Sequence, residues 1–332
     1  MKMSVFVKRF LSCLKLSVGN LMKFPLSVVF KLFCVNVSIA YAEVKDAGDV
    51  KKNYTKKHRV IKDYLASCYS SIIDRYEGKI NWTEQKESDD LCPIWMFWWQ
   101  GEECMPELCR ICYESVKCNS AGRKVHLLTK HNYSEFLDVP KDILGKVEDG
   151  SFCIANFADI CRVGLIAKYG GLWLDCTVLL TKQIEESWFA RPFMSAKLNS
   201  GSDIFVSDSR WMTFFIGGFK NSPFFECLRE LLEEYGKREK AFVDYLVIDY
   251  FIDLLMERFP SFAAGWNSVD FDSRGFYDLM PVMNEAEENT NFQELLSENV
   301  FFKLSYKFSL EENTESGQLT VWGKLKRLYG KC

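Results

Sequence analysis

The sequence predicts a layered α/β fold, and two observations carry that expectation. Short apolar runs, too short for ordinary helices, alternate with segments whose apolar residues recur at helical spacing. The run Ala167-Lys168-Tyr169-Gly170-Gly171-Leu172-Trp173-Leu174-Asp175-Cys176-Thr177 then joins an apolar helix end, a double glycine and a short strand in direct succession. It delivers one carboxylate, that of Asp175, to a strand tip, where open α/β sheets hold ligands.

Residues 1–42 contain Lys2, Lys8, Arg9, Lys15, Lys23 and Lys31, no acidic residue, and apolar groups such as Phe10-Leu11, Val28-Val29-Phe30 and Leu32-Phe33. Lysines interrupt the apolar runs before they reach the roughly 20 residues of a bilayer span. The expectation is an amphipathic segment lying against an anionic, cytoplasmic membrane face. Two rival readings stand beside it: a secretory signal ending at Ala40-Tyr41-Ala42, and a helix packed on the domain. Residues 43–59 read as a linker or exposed turn region, and 60–76 as a helix using Ile61, Leu65, Tyr69, Ile72 and Ile73. Charged residues 84–90 lead into 93–99, a buried first strand, so the main domain is expected over 91–310. A linker and helical extension (43–90) precedes it and a tail (311–332) follows. Pro106 opens a helix ending near Cys118, residues 124–128 form a second strand, and a helix over 153–168 precedes the strand 172–175. Two further helices center on Phe224, Leu228, Leu231 and Tyr235, and on Leu246, Tyr250 and Leu254. The G-x-G-x-x-G turn of a dinucleotide-binding unit is missing after the first strand.

The chain has 332 residues, 48% hydrophobic and 26% charged, with 42 basic against 45 acidic residues and a formal net charge of −3. That balance gives no support to a general nucleic-acid binder. Aromatics at 15% can fill a large core and also line a sugar or base-stacking cleft. The 13 cysteines are scattered in an intracellular pattern. Cys109-Arg110-Ile111-Cys112, within the cluster Cys104, Cys109, Cys112 and Cys118, has a metal or redox spacing. Leu108, Cys109, Cys112 and Val116 also share a helix face, and no second CxxC follows, so core packing competes with zinc and redox roles.

Asp159 and Arg162 leave the stripe of Ile154, Ala158, Cys161 and Leu165 together and face the same side. They are either an intrahelical ion pair, worth a few tenths of a kcal/mol, or a polar pair at the rim of a cleft containing Asp175. Asp249 and Asp253 lie four apart on one helix and repel unless compensated. A functional use, solvent exposure or a nearby lysine accounts for them.

Taken together, residues 95–107, 155–162, 169–181 and 246–251 resemble the bacterial capsular polysaccharide synthesis proteins, which in turn resemble the DXD-containing sugar-binding glycosyltransferases. The resemblance spans about residues 91–310 and implies a GT-A-like, nucleotide-sugar-binding layered fold with added helices. It implies glycosyl transfer from a nucleotide sugar to a lipid-linked or growing surface polysaccharide, with retention and with Mn2+ or Mg2+ as cofactor. By the same resemblance Trp98 stacks on or near the base, and Asp159 with Arg162 holds the donor. Asp175, the first Asp of DXD, serves metal and diphosphate, while Lys303 and Ser305 contact phosphate and Asp249 serves the acceptor side or supports catalysis. Two departures accompany these matches: Thr177 stands at the second DXD position, offering a hydroxyl as the remaining metal ligand, and Phe302 replaces a common histidine. They favor a runner-up reading, a nonenzymatic nucleotide-sugar or polysaccharide binding module. A nucleotidyl- or phosphoryl-transfer enzyme is a third.

Overall fold

The computed structural model describes residues 2–45, 50–85, 91–198, 204–271 and 275–330. Three N-terminal helices come first: α1 (Lys2–Asn20), α2 (Leu26–Lys45) and α3 (Val50–Asp74). The first two form a hairpin that packs on α3 through α2. Residues 43–59 are therefore not a linker where they are described: α2 runs to Lys45 and α3 begins at Val50. Lys51, Lys52 and Lys56 are exposed and Lys57 and Lys62 half-buried along α3, while Asn53, Ile61, Tyr64, Leu65 and Tyr69 are buried. Composition alone reads such a face as linker, because the few apolar residues that fix the helix are outnumbered. The reading of the lysines as breaking every apolar run also needs correction, because α2 is long and apolar enough to cross a membrane by length and composition. A third of its apolar window is nevertheless buried against the rest of the protein.

The strands among the described residues are β1 (Ile94–Phe97), β2 (Val125–Leu128), β3 (Gly171–Leu174), β4 (Val178–Leu180), β5 (Met194–Ala196), β6 (Met212–Gly218) and β7 (Phe301–Lys303). Five form a mixed sheet in the order β2-β1-β3-β6-β5; β1 runs parallel to β2 and β3, whereas β6 is antiparallel to both β3 and β5. Strands β4 and β7 pair antiparallel in a separate two-stranded sheet. The mixed α/β expectation is met, with two small sheets and many helices. Pairing of Leu174 with Phe215 brings the C-terminal ends of the parallel strands and the start of β6 to one edge.

The connecting helices are α4 (Glu107–Cys118), α5 (Tyr133–Phe136), α6 (Lys141–Glu148) and α7 (Ile154–Tyr169). After the sheet come α8 (Pro223–Arg238), α9 (Val247–Arg258), α10 (Pro260–Ser268), α11 (Phe292–Glu298) and α12 (Val321–Tyr329). Cys109 and Cys112 on α4 are fully buried free thiols, whereas Cys118 is disulfide-bonded. Helix α7 is enclosed nearly all round, between α8 and the sheet, so any charge it carries must find a partner.

The double glycine sets the approach of β3 to its neighbors. Gly170 ends α7 at φ +70° and Gly171 follows at φ +105°. A Cβ on Gly170 would lie 2.5 Å from Lys220 N, and one on Gly171 would overlap the carbonyl oxygen of Pro93. The indole Nε1 of Trp95 donates to Gly170 O at 2.9 Å and closes the turn. Only glycine satisfies both the backbone angle and the spacing.

Candidate active site

Asp175 leaves β3 at the shared edge, and its backbone N–H is held by Phe214 O at 2.9 Å. Its Oδ1 accepts from Trp173 Nε1 at 3.0 Å and from an Arg162 NH2 group at 3.2 Å. Its Oδ2 accepts from the Lys303 ammonium at 2.8 Å. The other arm of Arg162 pairs with Asp159 one turn earlier on α7, and the guanidinium lies 4.8 Å from the Trp173 ring centroid. The result is one alternating chain: Asp159, Arg162, Asp175, Lys303. The intrahelical pair and the cleft-rim pair read from the sequence thus coexist, because one guanidinium serves both carboxylates.

Burial acts differently on the carboxylates. For Asp175 the burial penalty is more than offset by Lys303 and Arg162, which hold its pKa well below the usual carboxylate range. Burial raises Asp159 to about 6 despite Arg162. Asp249, on α9, is raised by burial to about 7, against the opposing effect of Trp211 Nε1 donating to its Oδ1 at 2.8 Å. The charges of Asp159 and Arg162 act on Asp249 as lesser influences beside burial and the Trp211 hydrogen bond. Asp253 differs: Lys62 and Arg210, each at 2.6 Å, neutralize it. The repulsive pair expected from spacing is therefore resolved by partners that the sequence does not order.

Trp98 follows β1 at the same edge, half-buried, with Tyr306 edge-on at 5.7 Å. Its indole N–H, the Nε of Arg162 and the side-chain amide nitrogen of Asn156 are buried without hydrogen-bond partners among the described residues. Unpaired buried donors are costly, and these lie on the elements that build the site. Trp99 instead packs on Phe97 and Phe157. Lys303 is delivered by β7, where it pairs with Val178 two residues beyond Cys176. Thr177 is half-buried and its carbonyl accepts Leu304 N–H at 2.8 Å. The Ser305 hydroxyl accepts from Lys307 N–H at 3.3 Å, and Phe302 is fully buried opposite Leu179.

The profile of the family described as capsular polysaccharide synthesis protein matches residues 42–324. The chain belongs to that family. No curated protein matches it. Among solved structures, one titled "PaToxG Glycosyltransferase" aligns with a TM-score of 0.42 and 12% identity, covering 64% of this chain and 83% of that one. The family match includes α3, which also packs on α8 and α9 and contributes Tyr64, Leu65 and Tyr69 to the continuous core.

The residues at Asp175 do not fit a resident divalent ion. Such an ion takes several oxygen ligands, yet both Asp175 oxygens already accept directed donors, and Thr177, two residues on, carries a neutral hydroxyl in place of a second carboxylate. Among the described residues no group of three or more His, Cys, Asp or Glu side chains is placed to hold a metal.

Three further residues linked to these groups escape the sequence reading. Asn156 lies three positions before Asp159, so helical spacing could have exposed it. Trp211 reaches Asp249 across 38 residues, a pairing without a local signature. Tyr245, 67% exposed just before α9, is close enough for the charges of Asp159 and Asp175 to act on its phenol. Two clefts of about 490 and 580 Å3 lie elsewhere, one between α3, residues 204–208 and α9, the other at the opposite end of the sheet beside Trp95 and His126.

Proposed function

We propose that this protein is a glycosyltransferase that moves a sugar from a nucleotide-sugar donor to a surface or capsular polysaccharide acceptor, on a GT-A-like fold. The observation that carries this reading is the Asp159, Arg162, Asp175, Lys303 chain at the C-terminal edge of the parallel strands, beside a tryptophan with an unpaired N–H. Family membership supplies the substrate class.

Trp98 offers a flat face to a base, while Asp159 accepts hydrogen bonds from donor hydroxyls. Arg162 and Lys303 lower the energy of negative charge developing on a diphosphate, as fixed cations in a partly dry site do. Asp249, with a pKa near neutrality, can in its ionized form accept a hydrogen bond from an acceptor hydroxyl and orient it for attack. Ser305, at the mouth of the Lys303 strand, is the remaining phosphate contact in this reading.

The helical hairpin supports action beside a membrane. Met3, Val7, Leu11, Leu14 and Val18 lie exposed along one stripe of α1, with Lys8 and Lys15 beside them. We infer that this face rests on an anionic, cytoplasmic-side leaflet close to a lipid-linked acceptor.

The test is a donor screen on the full chain with membrane-derived acceptors, with and without Mn2+ or Mg2+. It is read by nucleoside diphosphate release, glycan mass and the anomeric configuration of the product. Transfer with release of nucleoside diphosphate is the expected result. Donor binding without turnover would instead favor the binding-module reading, which the buried Phe302 and the neutral Thr177 support.

A further inference from the structure

We propose that Lys303 is a built-in counter-ion that takes the place of a divalent metal at Asp175, and that the protein neutralizes the departing diphosphate without a bound metal ion. The proposal rests on the transferase reading above and adds the identity of the cation.

The position of the ammonium is fixed from two directions. Strand β7 pairs Lys303 with Val178, while Leu304 N–H bonds to Thr177 O and Lys303 N–H to Phe276 O, both at 2.8 Å. The two partners of the ion pair therefore belong to adjoining segments of one small sheet. The side chain crosses the Phe214 ring, with Nζ 4.6 Å from its centroid, and is only 19% exposed. From there Nζ reaches Asp175 Oδ2 at 2.8 Å. An ammonium has three donors; one is spent on Asp175, leaving the others for phosphate oxygens.

A metal has no comparable place. An ion ligated by Asp175 would approach its oxygens to about 2.1–2.4 Å, beside an ammonium on Oδ2 and a guanidinium on Oδ1, so like charges would be crowded together. The other two candidate carboxylates are engaged, Asp159 by Arg162 and Asp249 by Trp211.

The step balances without a metal. The bond between the sugar anomeric carbon and the diphosphate oxygen breaks, and its electron pair stays on that oxygen. The acceptor hydroxyl oxygen bonds to the anomeric carbon, and its proton passes to the departing phosphate oxygen. Lys303 stays protonated throughout, and nothing is oxidized or reduced.

Mn2+ binding tests the proposal without any donor. Free Mn2+ is followed by electron paramagnetic resonance during titration of the full-length wild type, Asp175→Asn, Lys303→Met, Lys303→Arg and the Lys303→Met/Asp175→Asn double variant. Wild type and Lys303→Arg are expected to leave Mn2+ free. Lys303→Met is expected to bind one ion roughly a hundredfold tighter than wild type, and the double variant to lose that site. One Mn2+ bound by wild type and lost in Asp175→Asn overturns the proposal, and so does a folded Lys303→Met that binds no tighter than wild type. The wild-type arm decides even if Lys303→Met fails to fold. Where the donor screen finds transfer, wild-type turnover is expected to survive EDTA; a rate lost in EDTA and restored by Mn2+ refutes the metal-free step while leaving the transferase reading intact. Absence of transfer from every donor refutes that reading, whatever the Mn2+ result.

Discussion

Replacing Asp249 with asparagine removes a carboxyl group that the fold keeps buried, with only 6% of the residue exposed. Burial raises its pKa from 3.8 to about 7. At roughly 1.4 kcal/mol per pKa unit, that gap makes the ionized group cost about 4 kcal/mol at and above neutral pH. The direction follows from proton binding. Between about pH 4 and 7 the folded protein keeps this proton while the unfolded chain has released it, so this group's contribution to stability falls as pH rises through that window. The amide introduced by Asp249→Asn cannot ionize, and its side-chain oxygen can still accept from Trp211. Urea unfolding of wild type and Asp249→Asn at about pH 4.5 and about pH 8 should therefore show the variant's relative stability growing by about 3 kcal/mol with pH. Comparing differences at each pH removes the titration of every group that does not interact with Asp249. An equal difference at both pH values would refute the reasoning: Asp249 would then titrate like a solvated carboxylate.

Asp175→Asn should lower turnover by at least about a hundredfold while the far-ultraviolet circular dichroism stays native; full activity in a folded protein would remove Asp175 from the mechanism. Gly171→Ala should destabilize by about 2–4 kcal/mol, because it combines a positive φ with overlap at Pro93 O, and a melting temperature equal to wild type would contradict that packing. Leu11→Glu/Leu14→Glu should abolish flotation with vesicles containing anionic lipid and leave activity on a soluble acceptor unchanged. Equal flotation of variant and wild type would show that this stripe is not the membrane face.

Much of the core was legible in the sequence because its signals are local. The strand 93–99, the helix ending in a double glycine and the strand that delivers Asp175 all follow from period, length and turn chemistry over a dozen residues. The helix face shared by Asp159 and Arg162 was legible for the same reason. The lysine-rich start of α3 was not, since its helix is stabilized by packing on α8 and α9 more than by its own composition. The sequence could also name Lys303 and Asp175 separately, through the resemblance of their motifs. Their meeting at 2.8 Å across 128 residues depends on the pairing of β4 with β7. Likewise, two aspartates spaced four apart look equivalent along the chain. Only the tertiary structure separates them, by setting Lys62 and Arg210 against Asp253 and leaving buried Asp249, among the described residues, with the indole N–H of Trp211 as its side-chain donor. Local sequence determines which groups an element presents. The charge state of those groups depends on burial and on partners brought from distant segments, and those are properties of the folded chain alone.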